Sequence, residues 1–322
     1  MQILVTGGAG YIGSHTIKHL KEAGFEDIIV IDNLESGHDK VCEILGVEMI
    51  TCDLRDKDSL QTLDKYQFDA CLHFAAYASV GESIKDPAKY FLNNYVGSLN
   101  LLNYLISNHC KYFVLSSTSE VYGEAEYLPI DEKHPLNPTN PYGASKKMVE
   151  ETLKWFGLAY GLKFVALRYF NAAGCDIEGK IGEMHQPENH LIPNAVLGAL
   201  GKKEFKLTCA KVDTSDQTPI RDYVHVDDLA DAHVKALKYL SDGGASDFFN
   251  LGTGKGYSVL EVVNTVEKIS DKELPKEYGE SRAGEPAQKF ASNEKAKNVL
   301  KWVPKYNLED MVKTTYDFLS RN

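Results

Sequence analysis

Ile3-Leu-Val-Thr-Gly-Gly-Ala-Gly-Tyr-Ile-Gly13, then an amphipathic run, then Ile28-Ile-Val-Ile-Asp32 is the stretch that decides the fold. An apolar run that stops at Thr6 reads as a buried parallel strand. Gly7, Gly8, Gly10 and Gly13 follow, and a helix is expected to start around Tyr11–Ile12. A tight glycine turn lets the backbone approach a pyrophosphate. The helix N-terminus presents N–H groups and the positive end of its dipole to it. Asp32 stands nineteen residues after Gly13, where a carboxylate can accept from both hydroxyls of an adenosine ribose. A carboxylate there repels a 2′-phosphate, so the expected dinucleotide is NAD rather than NADP.

Outward from this stretch, strand-like apolar runs recur at Val47–Cys52, Ala70–Phe74, Tyr112–Ser116 and Phe164–Leu167, with helical segments between them. The alternation predicts an α/β chain: a Rossmann-like, doubly wound parallel sheet with a smaller α/β lobe attached. The runs end in small or polar residues: Thr6-Gly7, Asp32-Asn33, Asp53-Leu54, Ala75-Ala76, Ser116–Thr118 and Asn171. Ligands on such sheets sit at the strand C-termini, so one shared site along that edge is expected. Long helices are expected between Pro87 and Asn108 and between Tyr142 and Ala159. The first carries more apolar surface than one buried face needs, which fits either deep burial or a helix-on-helix homodimer seam.

From Gly174 the texture loosens, and Arg221–Leu240 returns to a helix pattern before a strand at Phe248–Leu251. Further helices are expected at Ser258–Ile269, Asn293–Leu300 and Leu308–Leu319. The expected division is a cofactor domain over 1–172, with 220–250 folding back onto it, and a substrate domain over 173–322.

The chain has 322 residues and a net charge of −11, which speaks against nonspecific binding to nucleic acid or an anionic membrane. Its six cysteines contain no C-x-x-C pair, so no metal site is expected. Cys52 and Cys71 lie in apolar runs and read as small core residues. No apolar run reaches membrane-spanning length. The first strand begins at once, and the expected location is the cytoplasm.

Chemistry is suggested by Pro141-Tyr142-Gly-Ala-Ser-Lys146. On a helix, Tyr142 and Lys146 share a face. For tyrosine to act as a base its pKa must fall from ~10 toward ~7, about 4 kcal/mol of differential stabilisation of the phenolate. The Lys146 ammonium is expected to supply part of this, and a positively charged nicotinamide ring more. Ser116-Ser117-Thr118 ends the fifth strand, where a hydroxyl could reach the same reacting oxygen.

Thr6–Gly13, Ser116–Thr118 and Tyr142–Lys146 together resemble the extended short-chain dehydrogenase/reductases. Within that group the chain more closely resembles the UDP-glucose 4-epimerases. This second likeness rests on His73–Ala76, Val80–Ser83, Arg168–Gly174, His190–Pro193, Ile220–Val226 with Asp228–Asp231, and Asn250–Gly256. The resemblance implies an NAD-dependent isomerase that interconverts UDP-glucose and UDP-galactose by C4 oxidation, rotation of the 4-keto sugar and re-reduction. It assigns Tyr142 as base, Thr118 as proton relay and Lys146 as the group that holds the nicotinamide ribose.

The same resemblance places Gly7, Gly10, Tyr11, Ile12 and Gly13 at the pyrophosphate, and Asp32, Asn33, Leu34, Glu35, Ser36 and Gly37 around the adenosine ribose. Asp53 and Leu54 would line the adenine. Phe74, Ala75, Ala76, Tyr77, Ala78 and Asn94 would complete the cofactor bed, with Phe170 between cofactor and substrate. Asn171, His190, Leu191, Thr208, Arg221, Arg282 and Glu285 would hold the UDP-sugar, beside Thr118 and Tyr142.

The chain departs from the pattern in three places. A lysine is missing near Ala78, Thr208 stands where relatives often present phenylalanine, and Glu285 stands where aspartate is frequent. Thr118-Ser119-Glu120 also resembles nucleotide-sugar decarboxylases, which keeps a UDP-glucuronate decarboxylase or a related dehydratase open. Glu120 is expected to be structural. Lys289 is expected near the sugar, or in solvent.

Overall fold

A computed structural model describes residues 1–185, 187–207, 209, 211–276 and 286–321. In chain order the elements begin β1 (Ile3–Thr6), α1 (Tyr11–Glu22), β2 (Ile28–Asp32), α2 (Asp39–Leu45), β3 (Glu48–Thr51), β4 (Ala70–His73), α3 (Val80–Lys85) and α4 (Pro87–Tyr90). A π-helical segment (Phe91–Val96) leads into α5 (Gly97–Ser107), followed by β5 (Tyr112–Thr118), α6 (Pro141–Tyr160) and β6 (Lys163–Tyr169). Then come β7 (Asn171–Ala173), α7 (Leu191–Ala199), β8 (Ile220–Arg221), β9 (Tyr223–His225), α8 (Val226–Ser241) and β10 (Asp247–Leu251). β11 (Tyr257–Ser258), α9 (Val259–Ser270), β12 (Gln288–Lys289), α10 (Glu294–Val299) and α11 (Leu308–Arg321) complete the described chain.

The main sheet has the order β10-β6-β5-β4-β1-β2-β3, and its pairs are parallel. Chain direction along the sheet reverses at β1, between β2 and β4, which opens a crevice at the C-terminal ends of these strands. Both faces are covered. Ile3 and Val5 point into a cluster with Ile17 and Leu20 of α1 and Ala232 and Leu237 of α8. Leu4 points the other way, onto a cluster with Leu101, Leu102 and Leu105 of α5 and Val149 and Leu153 of α6. Residues buried on both faces explain why these strands read as unbroken apolar runs.

β10 adds to the far edge, with Phe249 opposite Leu167. A third apolar cluster gathers α7, α9 and α11 through Val196, Val262, Val266, Met311 and Val312. Among the described residues two small sheets lie outside the main one: β11-β8-β12, and β7 paired with β9.

The expected helix over Arg221–Leu240 is shorter than its pattern suggested. Residues 220–221 and 223–225 form two short strands, and the helix begins at Val226. Short pairings claim this stretch, with Ile220 opposite Ser258 and Asn171 opposite Tyr223. His225 then caps α8, accepting from Asp227 N at 3.1 Å.

The long helix expected from Pro87 is also interrupted, by the π turn at Phe91–Val96. Its apolar surplus divides in two. Tyr90, Leu101, Leu102 and Leu105 are buried, while Leu92 and Val96 are exposed. The cysteines are free thiols and buried. Among the described residues no helix is long and apolar enough to cross a membrane.

Candidate functional site

Gly7 adopts φ +68°, a left-handed conformation that glycine takes without strain. A Cβ there would lie 2.6 Å from Ala75 N. The turn after β1 is therefore packed backbone to backbone against the end of β4, where Thr6 Oγ1 also accepts from Ala75 N at 3.3 Å. Gly10 begins α1 and gives it no side-chain cap, so a ligand phosphate can take the place a cap would fill.

Asp32 is buried at the end of β2. Its carboxylate accepts from Leu34 N at 2.9 Å and Ala9 N at 3.2 Å, and burial pushes its pKa up. Two oxygens carry more lone pairs than two N–H groups use, so capacity remains for ribose hydroxyls. Asn33 Oδ1 accepts from Glu35 N at 3.2 Å and shapes the following turn. Ser36 lines a crevice with Gly10, Tyr11, His38, Gly182 and His185. Gly37 packs against the Asp32 carboxylate. Ile12 packs on the core beneath α1.

The adenine-side residues carry a feature that sequence reasoning missed. Arg55 binds Asp53 through Nε at 2.9 and 3.0 Å and also pairs with Glu35. Tyr77 joins this group through its hydroxyl, which contacts Arg55 and Glu35. The signal was Asp53-Leu-Arg55, a turn in which residues two apart can pair. Leu54 is buried against Gly97.

Asn94 lies in the π turn. Its Oδ1 accepts from Tyr77 N at 2.9 Å and its Nδ2 donates to Tyr77 O at 3.0 Å. Such turns inside helices recur at functional sites because the extra residue re-aims a side chain. Here it locks the segment holding Ala76, Tyr77 and Ala78. The Phe74 ring meets the His233 ring at 4.7 Å. His73 bridges Thr6 Oγ1 at 2.6 Å and Ser98 Oγ at 2.7 Å. Burial, then the Lys146 charge, lower its pKa to about 3.

The second group lies where β5 meets α6. Tyr142 is buried, and the Thr118 hydroxyl acts on its phenol. Lys146 Nζ, also buried, donates to Ser116 O at 3.0 Å, and burial lowers its pKa to about 8. The expected depression of the Tyr142 pKa by Lys146 is not what this environment provides. Burial raises it, the Tyr169 and Glu120 charges add to the rise, and the Thr118 hydroxyl works the other way.

Beneath these side chains runs a buried strut. Arg168 pairs with Glu150 at 2.6 and 3.0 Å, and Ser117 Oγ donates to Glu150 at 2.6 Å. It ties α6 to β5 and β6 one turn past Lys146.

The third group holds part of the expected sugar side. Phe170 is buried with Tyr122, Ile130 and Ala291. Asn171 Nδ2 donates to Asp222 O at 2.9 Å. Arg221 donates to the Ile220 and Pro286 carbonyls at 2.9 Å each. Asp222 accepts from Thr253 Oγ1 at 2.7 Å and Ala291 N at 3.1 Å, and burial raises its pKa to about 6.

Lys289 is not in solvent: its side chain is 9% exposed and pairs with Glu120 at 2.6 Å. This contact brings β12, and Arg221 beside it in register, to the Tyr142 group. Thr208, Arg282 and Glu285 lie outside the described residues.

His190 is placed differently, on the glycine-turn side of the site, with Leu191 starting α7 after it. Its Nδ1 contacts Glu183, which His185 Nδ1 also reaches at 2.9 Å. The His185 ring stands 6.2 Å from the Tyr11 ring, and the Tyr11 hydroxyl donates to Gly174 O. With Glu188, these side chains form a cluster whose ligand-type atoms lie within 4.8 Å of one another. Sequence reasoning passed over it, although Glu183-x-His185 and Glu188-x-His190 stand close together in one polar loop.

The sequence profile of the NAD dependent epimerase/dehydratase family matches residues 3–252. A UDP-glucose 4-epimerase of Rhizobium meliloti (strain 1021) is 46% identical over 99% of this chain and 97% of its own. Two crystal structures superpose with TM-scores of 0.94. The UDP-glucose 4-epimerase from Brucella ovis in complex with NAD is 40% identical over 98% of this chain and 97% of its own. The one from Bifidobacterium longum in complex with NAD+ and UDP is 34% identical over 100% and 99%. Profile, sequence and backbone agree along nearly the whole length, and this chain belongs to the NAD dependent epimerase/dehydratase family.

Proposed function

We propose that this chain is an isomerase that interconverts UDP-glucose and UDP-galactose, with NAD as its resident cofactor. The observation that carries the reading is the meeting, at one sheet edge, of a backbone-packed glycine turn, buried Asp32 and the Thr118–Tyr142–Lys146 group. Relatives over 40% identical along nearly the whole chain support it.

The residues fit the cofactor. The uncapped start of α1 and the turn at Gly7, Gly10 and Gly13 would hold the pyrophosphate, and Asp32 the adenosine ribose. Lys146 would hold the nicotinamide ribose. Bound there, NAD supplies the hydride acceptor and donor for sugar C4 and a positive ring charge.

Tyr142 accepts the proton of the sugar 4-hydroxyl as C4 is oxidised. Thr118 hydrogen-bonds the same oxygen and relays the proton. The 4-keto sugar turns about its diphosphate link, so its opposite face is reduced and C4 is inverted. Tyr142 returns the proton. Asn171, His190, Leu191 and Arg221, with Thr208, Arg282 and Glu285, would grip the UDP moiety. A guanidinium fork suits phosphate oxygens. Residues 1–172 with 220–250 serve the cofactor, and the rest of 173–322 serves the nucleotide-sugar.

A second copy of this chain is the expected partner. Leu92 and Val96 on one helix, and Met148, Trp155 and Leu158 on the adjacent α6, present large apolar side chains outward, with Trp155 68% and Leu158 79% exposed. Association of these helices in a homodimer would cover them. The buried free thiols suit the reducing cytoplasm.

The test is direct. The purified chain should carry NAD and convert UDP-galactose to UDP-glucose with no cofactor added. A chain isolated without NAD, or one that leaves both sugars unchanged, would contradict the reading.

A further inference from the structure

Glu120 and Lys289 are 169 positions apart, yet Lys289 Nζ donates to Glu120 Oε1 at 2.6 Å. The lysine side chain is only 9% exposed. A buried ammonium is costly unless paired, and removing one partner strands the other charge.

The pair is wired into the Tyr142 group. The second Glu120 oxygen accepts from Asn140 Nδ2 at 2.7 Å. Asn140 Oδ1 in turn accepts from Gly143 N at 2.9 Å and so caps the helix that carries Tyr142. Glu120 N donates to Thr118 Oγ1 at 3.1 Å. A Cβ on Gly143 would overlap the Glu120 carbonyl oxygen, so the first turn of α6 rests on the Glu120 backbone.

Tyr142 faces Thr118 and Glu120 from the end of β5, Tyr169 from β6, Tyr90 from α4, and Lys146 one turn along its own helix. Among these, Glu120 is the carboxylate, and its charge opposes the phenolate. Glu120 itself faces Lys289 from β12, Asn140 from the start of α6, and Arg221 from β8.

We propose that Lys289 is a positioning residue for Tyr142: by neutralising Glu120 and holding it on Asn140, it lessens the negative charge that opposes the Tyr142 phenolate. The proposal rests on the reading of Tyr142 as the base. It assigns Lys289 a role in the chemistry although it touches neither Tyr142 nor Thr118 directly.

The experiment uses the full NAD-loaded chain and four variants: Lys289→Met, Lys289→Arg, Glu120→Gln and the Glu120→Gln/Lys289→Met double. The acid limb of kcat/KM for UDP-galactose is followed against pH. In parallel, phenolate absorbance in the near ultraviolet is titrated and read as the difference from Tyr142→Phe.

Lys289→Met leaves Glu120 uncompensated and should move both readouts to higher pH by about half to one unit. Glu120→Gln leaves the ammonium uncompensated and should move both to lower pH by a similar amount. The double variant should return near the parent, and Lys289→Arg should match it. Unmoved titrations in Lys289→Met, or both single variants moving in the same direction, would overturn the proposal. A parent that does not turn over UDP-galactose would overturn the functional reading instead. The phenolate titration would then still decide whether the pair governs Tyr142.

Discussion

The glycine turn after β1 and the short strands β8 and β12 hold their functional groups by different means. At the turn, geometry is set by the main chain: Gly7 packs on the Ala75 backbone, and the N–H groups of Ala9 and Leu34 fix the Asp32 carboxylate. At the short strands it is set by long side chains meeting across the fold, Lys289 on Glu120 and Arg221 on the Pro286 carbonyl. A backbone-built site tolerates almost no change of residue type. A site built from side-chain pairs can be retuned one partner at a time. The difference suits a fixed cofactor on one side and a sugar that must turn over on the other.

The largest expected effect lies between these regions. Tyr142→Phe should lower kcat by roughly 10³–10⁴-fold while leaving NAD content and melting temperature close to the parent, because only the proton acceptor is lost. Turnover within about tenfold of the parent would assign the base elsewhere.

Gly7→Ala tests the rigidity of the backbone-built side. Its Cβ meets main chain rather than a flexible side chain, and the φ value is strained for alanine. A loss of about 2–4 kcal/mol in denaturant unfolding is expected, with loss of bound NAD. A stable, NAD-loaded variant would show that the turn gives way more easily than its packing implies.

Asp32→Ala probes the same side through one carboxylate. NAD affinity should fall by about 10–100-fold, with relaxed discrimination against NADP, measured by calorimetry on stripped protein. Unchanged discrimination would remove Asp32 from the ribose.

On the side-chain-built side, Glu120→Gln should be mild. At its own pH optimum the rate should stay within about tenfold of the parent, no more than ~1.4 kcal/mol in the barrier. A pentose product from UDP-glucuronate that disappears in this variant would assign Glu120 to decarboxylation.

The same contrast explains what could be read from the sequence. Gly7, Gly10, Gly13 and Asp32 are local signals, because a turn that packs against main chain admits few residues and leaves its pattern in order along the chain. Tyr142 and Lys146 are legible because one helical turn joins them. Lys289 and Glu120 are not, because nothing local marks a pair that the fold brings together over 169 positions. Of the Arg55 partners, Asp53 is two residues away and legible as a turn pair, whereas Glu35 meets it only when the ends of β2 and β3 come side by side. Residues 221–225 read as helix because the pattern of α8 runs on into them, while the partners that make 220–221 and 223–225 strand lie far off in the chain, in β11 and β12 and in β7.

In the proposed reaction one site oxidises and re-reduces the same carbon without releasing the intermediate. UDP-galactose carrying deuterium at C4 would test it most directly. The expected product is UDP-glucose that retains the deuterium at C4, formed with no added cofactor and no exchange with solvent. UDP-glucose that has lost the label, or a product altered at C5 or C6, would contradict it.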